Sequence, residues 1–239
     1  MPQNTPAYRR ILLKLSGESF LGSQAFGLEL EAARAVAREI RGIHDLGVEI
    51  AIMIGGGNIF RGIQGTDSGM HRVSSDHMGL MATVINGIAL QEVLALEGLR
   101  ARLVSAIAIE SIAEVFVRRN VNRYLEEKRI VVFSAGLGSP YFTTDTAAAL
   151  RALEVDADVI MKATKVDGVY SADPMKDIRA QKFTSISYLD VIKKGLKVMD
   201  TTAISLCKDN RLPIIVFNIK KPGNLKKAVL GESIGTRIA

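Results

Sequence analysis

The apolar positions of this chain fall into short continuous runs that alternate with segments of helical periodicity. Arg10-Ile11-Leu12-Leu13-Lys14-Leu15 is one such run, closed by Ser16-Gly17, and reads as a strand buried on both faces. From Leu28 to Asp45, residues Ala33, Val36, Ala37, Ile40 and Ile43 recur at helical spacing, and Gly47 stops that helix. Val48 to Ile54 predicts a second buried strand, ending in Gly55-Gly56-Gly57-Asn58. Asp76 is expected to cap a long helix that runs to about Glu97 through Met78, Met81, Val84, Ile85 and Ile88. That helix is apolar nearly all round, with Asn86 and Gln91 its strongly polar interior positions, so it belongs either deep in a core or at a subunit interface.

The alternation continues. Arg102 to Ile107 reads as a strand, Ser111 to Lys128 as a helix and Ile130 to Ser134 as a strand. The loop Gly136 to Phe142 precedes an Ala- and Leu-rich helix, Thr144 to Leu153, and Asp158 to Lys162 is strand again. A turn-rich stretch, Asp167 to Pro174, follows. The tail holds a helix around Thr201 to Asn210, the strand Ile214 to Asn218, the helix Asn224 to Leu230 and a final Gly235-Thr236-Arg237. This order predicts an α/β fold, a three-layer α/β/α sandwich around a mostly parallel central sheet. There is no linker, low-complexity run or internal repeat, so a single domain spanning 1–239 is expected.

Composition narrows the function classes. Among 239 residues, 48% are hydrophobic and 23% charged, which suits a globular chain and not a disordered one. The longest uncharged stretch, Met78 to Gln91, is shorter than the roughly 20 residues of a membrane span, so no membrane partner is expected. Met1 to Pro6 is polar and leads directly into a strand, so no secretory signal is expected and the location is read as cytoplasmic. A single cysteine, Cys207, and three histidines exclude a disulfide framework and a Cys/His zinc cage. Cys207 reads as buried in its helix, and His44, His71 and His77 carry no convincing catalytic pattern.

The net charge of +6 comes from 31 basic and 25 acidic residues, and its densest clusters, such as Lys193-Lys194 and Lys220-Lys221, are only two long. Tryptophan is absent and aromatics are 5%, so a stacking surface for nucleic acid is not expected. The excess charge is either a solvated surface or a means of drawing in an anionic small molecule.

Four predicted strands end in loops rich in Gly, Ser, Lys and Arg: Lys14 to Gly17, Gly55 to Gly62, Ser134 to Asp145, and Lys162 to Lys165. In parallel sheets the binding crevice lies outside the carboxyl ends of the strands. Glycines let several backbone N–H groups face an anion there, and Lys14 and Arg61 add charge, so the implied ligand is a phosphate. The familiar phosphate motifs are missing. No Gly-Lys pair forms a Walker A loop, and Phe60 stands where a dinucleotide fingerprint needs its third glycine.

Lys-Leu-Ser-Gly closing the first strand, Gly-Gly-Gly-Asn closing the second and Thr-Thr-Asp-Thr before a helix resemble the amino-acid kinase superfamily. Within it, Gly55 to Gly62, Asp76-His77-Met78-Gly79, Gly136 to Thr146 and Lys162 to Pro174 are similar to the bacterial uridylate kinases. Val198-Met199-Asp200 and Phe217-Asn218 also fit, and the resemblance covers essentially the whole chain from Tyr8.

That resemblance implies transfer of the ATP γ-phosphoryl group to UMP with Mg²⁺, in pyrimidine nucleotide synthesis. It implies an acceptor-binding lobe of about 1–155 and an ATP-binding lobe of about 156–239. Lys14, Leu15, Ser16 and Gly17 would bind ATP, with Gly57 and Arg61 completing the phosphate cradle. Thr164, Tyr170 and Asp173 would lie on the adenosine side, Tyr170 against the base unless it merely packs in the core. Gly56, Asp76, Leu137, Gly138, Ser139, Pro140, Tyr141, Phe142, Thr143 and Thr144 would hold UMP. Asp76 could accept from a ribose hydroxyl, cap its helix, or do both. Asp145 would orient lysines around the transferring group, and either Lys162 or Lys165 would meet the developing charge; Asp200 is a helper or a plain helix cap. No protein side chain is expected to ligate the metal directly. Gly22, Ser23, Gln24, Ala25, Phe26 and Gly27 would form a loop tied to activation by GTP, with UTP inhibiting, in a homohexamer. Two other readings stand beside it: a kinase for an amino-acid carboxylate or carbamate, which keeps the fold but leaves Asp76 and the loop Gly136 to Thr144 unexplained, and a nucleotide sensor without turnover.

Overall fold

The structure, a computed structural model, describes residues 5–61, 65, 69–174 and 176–239. Gly62, the end of the predicted second phosphate loop, lies outside the described residues.

The first strand, β1 (Arg10–Leu15), turns through a short 3-10 segment, Gly17–Phe20, into α1 (Leu30–His44). The chain continues as β2 (Glu49–Ile54), α2 (Arg72–Leu96), β3 (Ala101–Ser105), β4 (Glu114–Val115), α3 (Arg118–Glu126) and β5 (Ile130–Ser134). Its second half runs α4 (Thr144–Glu154), β6 (Val159–Thr164), β7 (Ser185–Ile186), α5 (Tyr188–Lys193), α6 (Thr201–Asp209), β8 (Ile214–Asn218), α7 (Asn224–Val229) and β9 (Thr236–Ile238).

Among the described residues the strands form one sheet in the order β4-β3-β5-β2-β1-β6-β8-β9-β7, parallel throughout except for β8 against β9. Alternate residues of each strand enter two cores. Ile11, Leu13 and Leu15 of β1 join Ile50, Ile52 and Ile54 of β2 beneath α1, α2 and α7. Leu12, Ala51 and Met53 face the other layer, beneath α3, α4 and α6. Such two-sided burial explains why the strands read as unbroken apolar runs. The expected three-layer sandwich is the observed one.

β1 lies at the centre, with β2 on one side and β6 on the other. The chain order reverses there, which opens a crevice at the carboxyl ends of these three strands.

Several boundaries differ from the sequence reading. The helix expected over Ser111 to Lys128 is confined to Arg118–Glu126, because Glu114–Val115 pairs with β3 and Phe116 N–H donates to the Ser105 carbonyl. Helix α2 begins at Arg72 with His71 at its N-cap, so Asp76 is not a cap. Arg72, Val73, Ser74 and Ser75 extend the helix by one turn, and an i,i+4 ion pair of 2.8 Å joins Arg72 to Asp76. The final Thr236–Ile238 forms a strand, and α5 and β7 precede α6 where no element was expected. Cys207 is buried as expected, and burial pushes its thiol pKa up to about 12.

Candidate active site

Lys14 and Lys162 are register partners on the parallel strands β1 and β6, so both side chains leave the sheet on the same face. That face is the one covered by α4. Thr143 caps α4, its hydroxyl accepting from the N–H groups of Asp145 and Thr146, and the next turn carries Asp145 to the two lysines. Lys162 Nζ donates to Asp145 Oδ2 at 2.8 Å and to the Val198 carbonyl. Lys14 Nζ stands 2.8 Å from Asp145 Oδ1 as an ion pair.

The electrostatics follow from burial. Desolvation alone would raise the Asp145 pKa, but the ammonium groups of Lys14 and Lys162 outweigh it and hold the carboxyl below its ordinary range. Burial, then the charge of Lys14, pulls the Lys162 pKa below the ordinary lysine value despite the opposing pull of Asp145. One carboxylate therefore holds two ammonium groups together in a mostly dry site. A second anion would find a surplus of positive charge there.

Asp200 supports the cluster from α6. It caps that helix by accepting from Ala203 N–H at 2.9 Å, and it accepts from the hydroxyls of Thr143 and Thr146. Both sequence readings of Asp200 thus have a structural counterpart: it is a cap, and it braces the turn that presents Asp145.

Two cavities meet at Lys162 and Thr164. The larger, of about 920 Å³, is bordered by Lys14, Ser16, Glu18, Gly22, Arg61, Lys162 and Lys165. The smaller, of about 570 Å³, is bordered by Thr164, Tyr170, Asp173, Lys176 and Val198. The expected adenosine-side residues therefore share one cavity, and Tyr170 is only partly buried there. Ser16 caps the 3-10 turn by accepting from Glu18 N–H. The Leu15 side chain is fully buried, so Leu15 faces the cleft only through its backbone. Arg61 Nε donates to the Gly57 carbonyl at 3.1 Å.

Glu18 was not singled out in the sequence. It accepts from Arg61, and Lys165 Nζ lies 2.7 Å from its other oxygen. The Lys165 hydrogen bond leads the effects that lower its pKa. Lys165 is thereby distinguished from Lys162: it is half exposed and paired with Glu18, while Lys162 belongs to the Asp145 cluster.

The loop expected to hold UMP lies apart from both cavities, pinned to α2. Ala135 N–H donates to Thr83 Oγ1 at 2.6 Å, and Tyr141 N–H donates to Asp76 Oδ2 at 2.8 Å. Between these pins Ala135, Gly136, Gly138 and Tyr141 all adopt positive φ, with values from 52° to 75°. Non-glycine residues hold such a conformation only where their surroundings impose it. Leu137 packs against the core, while Tyr141 and Phe142 are exposed, with the Arg72 guanidinium 5.3 Å from the Tyr141 ring centre. Gly56 sits directly on α2, where an added Cβ would lie 2.8 Å from the Ala82 Cβ and 2.9 Å from the Thr83 nitrogen.

The loop Gly22 to Gly27 borders the larger cavity at Gly22 and returns to Asn58, whose carbonyl accepts from Gly27 N–H at 2.9 Å. Ser23 N–H donates to Glu29, and Phe26 is exposed. Sequence reasoning missed Thr83, Thr146 and Glu18. Their signal was faint: polar residues in apolar helical or turn positions whose partners lie far away in the chain.

The amino acid kinase family matches residues 9–218. The fold superposes on the UMP kinase of Bacillus anthracis with a TM-score of 0.93 at 37% identity, over 97% of this chain and 96% of that one. For the UMP kinase of Ureaplasma parvum the TM-score is 0.91 at 33% identity, over 97% and 98% of the two chains. The uridylate kinase of Archaeoglobus fulgidus gives 0.74 at 28% identity, over 96% and 99%. With a match that spans both halves of the sheet and the whole lysine–aspartate cluster, this chain belongs to the amino acid kinase family.

Proposed function

We propose that this chain transfers the γ-phosphoryl group of ATP to UMP, giving ADP and UDP for pyrimidine nucleotide synthesis. The observation that carries the chemistry is Asp145 buried between Lys14 and Lys162 at the carboxyl ends of adjacent strands. Phosphoryl transfer needs in-line positioning and cancellation of spread negative charge more than covalent help, and this cluster supplies both. The choice of UMP as acceptor is supported by the likeness to UMP kinases over nearly the full length of each chain.

In this reading the adenosine occupies the cavity of Thr164, Tyr170 and Asp173, and the triphosphate extends into the larger cavity. Ser16 and Gly17 offer N–H groups, and Arg61 and Lys165 exchange Glu18 for phosphate oxygens. UMP lies against Gly56, Asp76 and the loop 137–144, its phosphate directed at Lys14. Asp76 keeps Oδ1 for the ribose while Oδ2 holds Tyr141 N–H. Lys162 follows the charge that moves to the bridging oxygen. The acceptor phosphate is already ionised at neutral pH, so no general base is required. Acceptor contacts thus fall before residue 155, and the adenosine contacts after 156.

The donor set of the cleft fits a metal carried by the nucleotide. Asp145 and Glu18 are committed to lysines and Arg61, and the described residues include no group of three His, Cys, Asp or Glu side chains able to cage an ion. Mg²⁺ bound to the ATP phosphates would neutralise their charge; the chain's own part is to position those phosphates.

The deciding experiment is a coupled assay with Mg-ATP and UMP, CMP, glutamate or carbamate as acceptor. UDP formation from UMP is expected, with kcat/KM for CMP lower by roughly a hundredfold, as two unpaired buried hydrogen-bonding groups would cause. Binding of UMP without any UDP would replace this reading with a sensor. GTP and UTP added to the same assay test the activation and inhibition that the family resemblance implies.

A further inference from the structure

Asn86 lies in the middle of α2 with no surface exposed, and Asn58 after β2 is 3% exposed. A buried amide is costly unless its groups find partners, and here they do. Asn86 Nδ2 donates to the Gly55 carbonyl and to Asn58 Oδ1, each at 2.7 Å. Asn58 Nδ2 returns the bond to Asn86 Oδ1 at 3.0 Å and donates its other hydrogen to the Gly27 carbonyl at 2.8 Å. Turning either amide over would set oxygen against a carbonyl oxygen, so both orientations are fixed by their neighbours.

This closed amide ring touches three loops. Gly17 packs flat against it: an added Cβ there would collide with Asn58 Oδ1 and lie 2.8 Å from the Gly55 carbonyl. Gly55 N–H in turn donates to the Leu15 carbonyl at 2.9 Å, so the ring sets the spacing of the turns that end β1 and β2. The loop 135–141 is held elsewhere on α2, by Thr83 and Asp76.

We propose that the Asn58–Asn86 ring is a positioning device for the ATP phosphate cradle, acting through Gly17 and Gly55 and touching neither nucleotide. The inference rests on the assignment of the Gly17 turn to ATP. It separates the two substrates: the ring governs the donor side, while the acceptor side is set elsewhere on the same helix, Gly56 by its seat on Ala82 and Thr83 and the loop 135–141 by Thr83 and Asp76. A displacement of about 1 Å in a loop that holds a reacting group can cost on the order of a hundredfold in rate.

The test compares Asn86→Ala, Asn58→Ala and the double variant with the unaltered protein. ADP and UMP affinities are measured by calorimetry, with steady-state kinetics and thermal melts alongside. Expected are an ADP Kd weaker by about tenfold and a kcat lower by about tenfold or more, with the UMP Kd within about twofold. The double variant should be no worse than the worse single one, because the two amides act as a unit. A lowered Tm with intact kcat and ADP affinity would overturn the proposal, and so would equal losses for ADP and UMP. Should Asn86→Ala fail to fold, Asn86→Ser, which keeps a small hydrogen-bonding group, is judged by the same criteria. An unaltered protein that binds ADP but does not phosphorylate UMP would remove only the acceptor, since the ADP titrations still decide on the ring.

Discussion

A single carboxylate between two lysines makes opposite demands on binding and on rate, and substitution can separate them. In Asp145→Asn the side chain keeps its shape but loses the charge that holds Lys14 and Lys162 in place. Loss of such an electrostatic organiser should lower kcat by on the order of a hundredfold or more. UMP affinity, which the proposed function assigns to the loop 137–144 and Gly56, should change little by calorimetry. Turnover equal to the parent's would remove Asp145 from the mechanism. Lys162 provides a pH-dependent test. Its ammonium pKa lies below the ordinary 10.5, chiefly through burial, so its charge is present at low pH and is lost as pH rises through that lowered value. The rate should therefore fall on the alkaline side at a pH below that of an exposed lysine. Lys162→Arg keeps its charge far higher, so the alkaline limb should move up while kcat drops by about tenfold from the poorer fit. A pH–rate profile with the same alkaline limb in both proteins would assign that limb to another group.

At the scale of elements, α2 does more than fill the core. Three polar residues on it hold two loops of the cleft: Asp76 and Thr83 pin the loop 135–141 at its two ends, and Asn86 holds the loop that follows β2. Gly56 lies against the same helix so closely that Gly56→Ala must push the glycine loop away from Ala82 and Thr83. We expect kcat/KM for UMP to fall by on the order of a hundredfold in that variant, with only a modest loss of Tm. Near-parental kinetics would show that the loop tolerates the shift. Much of this architecture was legible beforehand. β1, β2, β5 and β8 are apolar on both faces, and α1 repeats its apolar residues every three or four positions, so local pattern and tertiary burial agree. The sequence failed where tertiary contacts decide. Val115 becomes a strand because β3 is beside it, and Thr236–Ile238 because β8 and β7 flank it. Glycine and lysine in the strand-end loops carried the expectation of a phosphate ligand. Glu18 did not announce itself, because its meaning lies in Arg61 and Lys165, which are brought to it only by the fold.

At the scale of the whole molecule, α2 carries a surface that the single chain leaves unsatisfied. Its outward face carries Met78, Met81, Ile85 and Ile88, each 39% to 51% exposed, at the three- and four-residue spacing that lets one helix pack along another. By length and composition α2 could cross a membrane, with 25 residues and a mean hydropathy of 1.5 over its best window, but half of that window is buried in the protein. Drawing the helix into lipid would break the hydrogen bonds of Asp76, Thr83 and Asn86 and strip one core from the sheet. A second copy of the chain can cover the same stripe and leave those bonds intact, which is how we read the exposed face and the expected homohexamer. A charge at the centre of that stripe should be tolerated by a monomer and refused by an interface. Ile85→Asp is therefore expected to shift the protein from an assembly to a smaller species in light scattering at micromolar concentration. Because α2 also holds the loops of the cleft, the dissociated form should lose activity severalfold without changing residues that touch substrate. If Ile85→Asp kept the parent's mass and kinetics, the stripe would be no interface, and the assembly would have to form through another face.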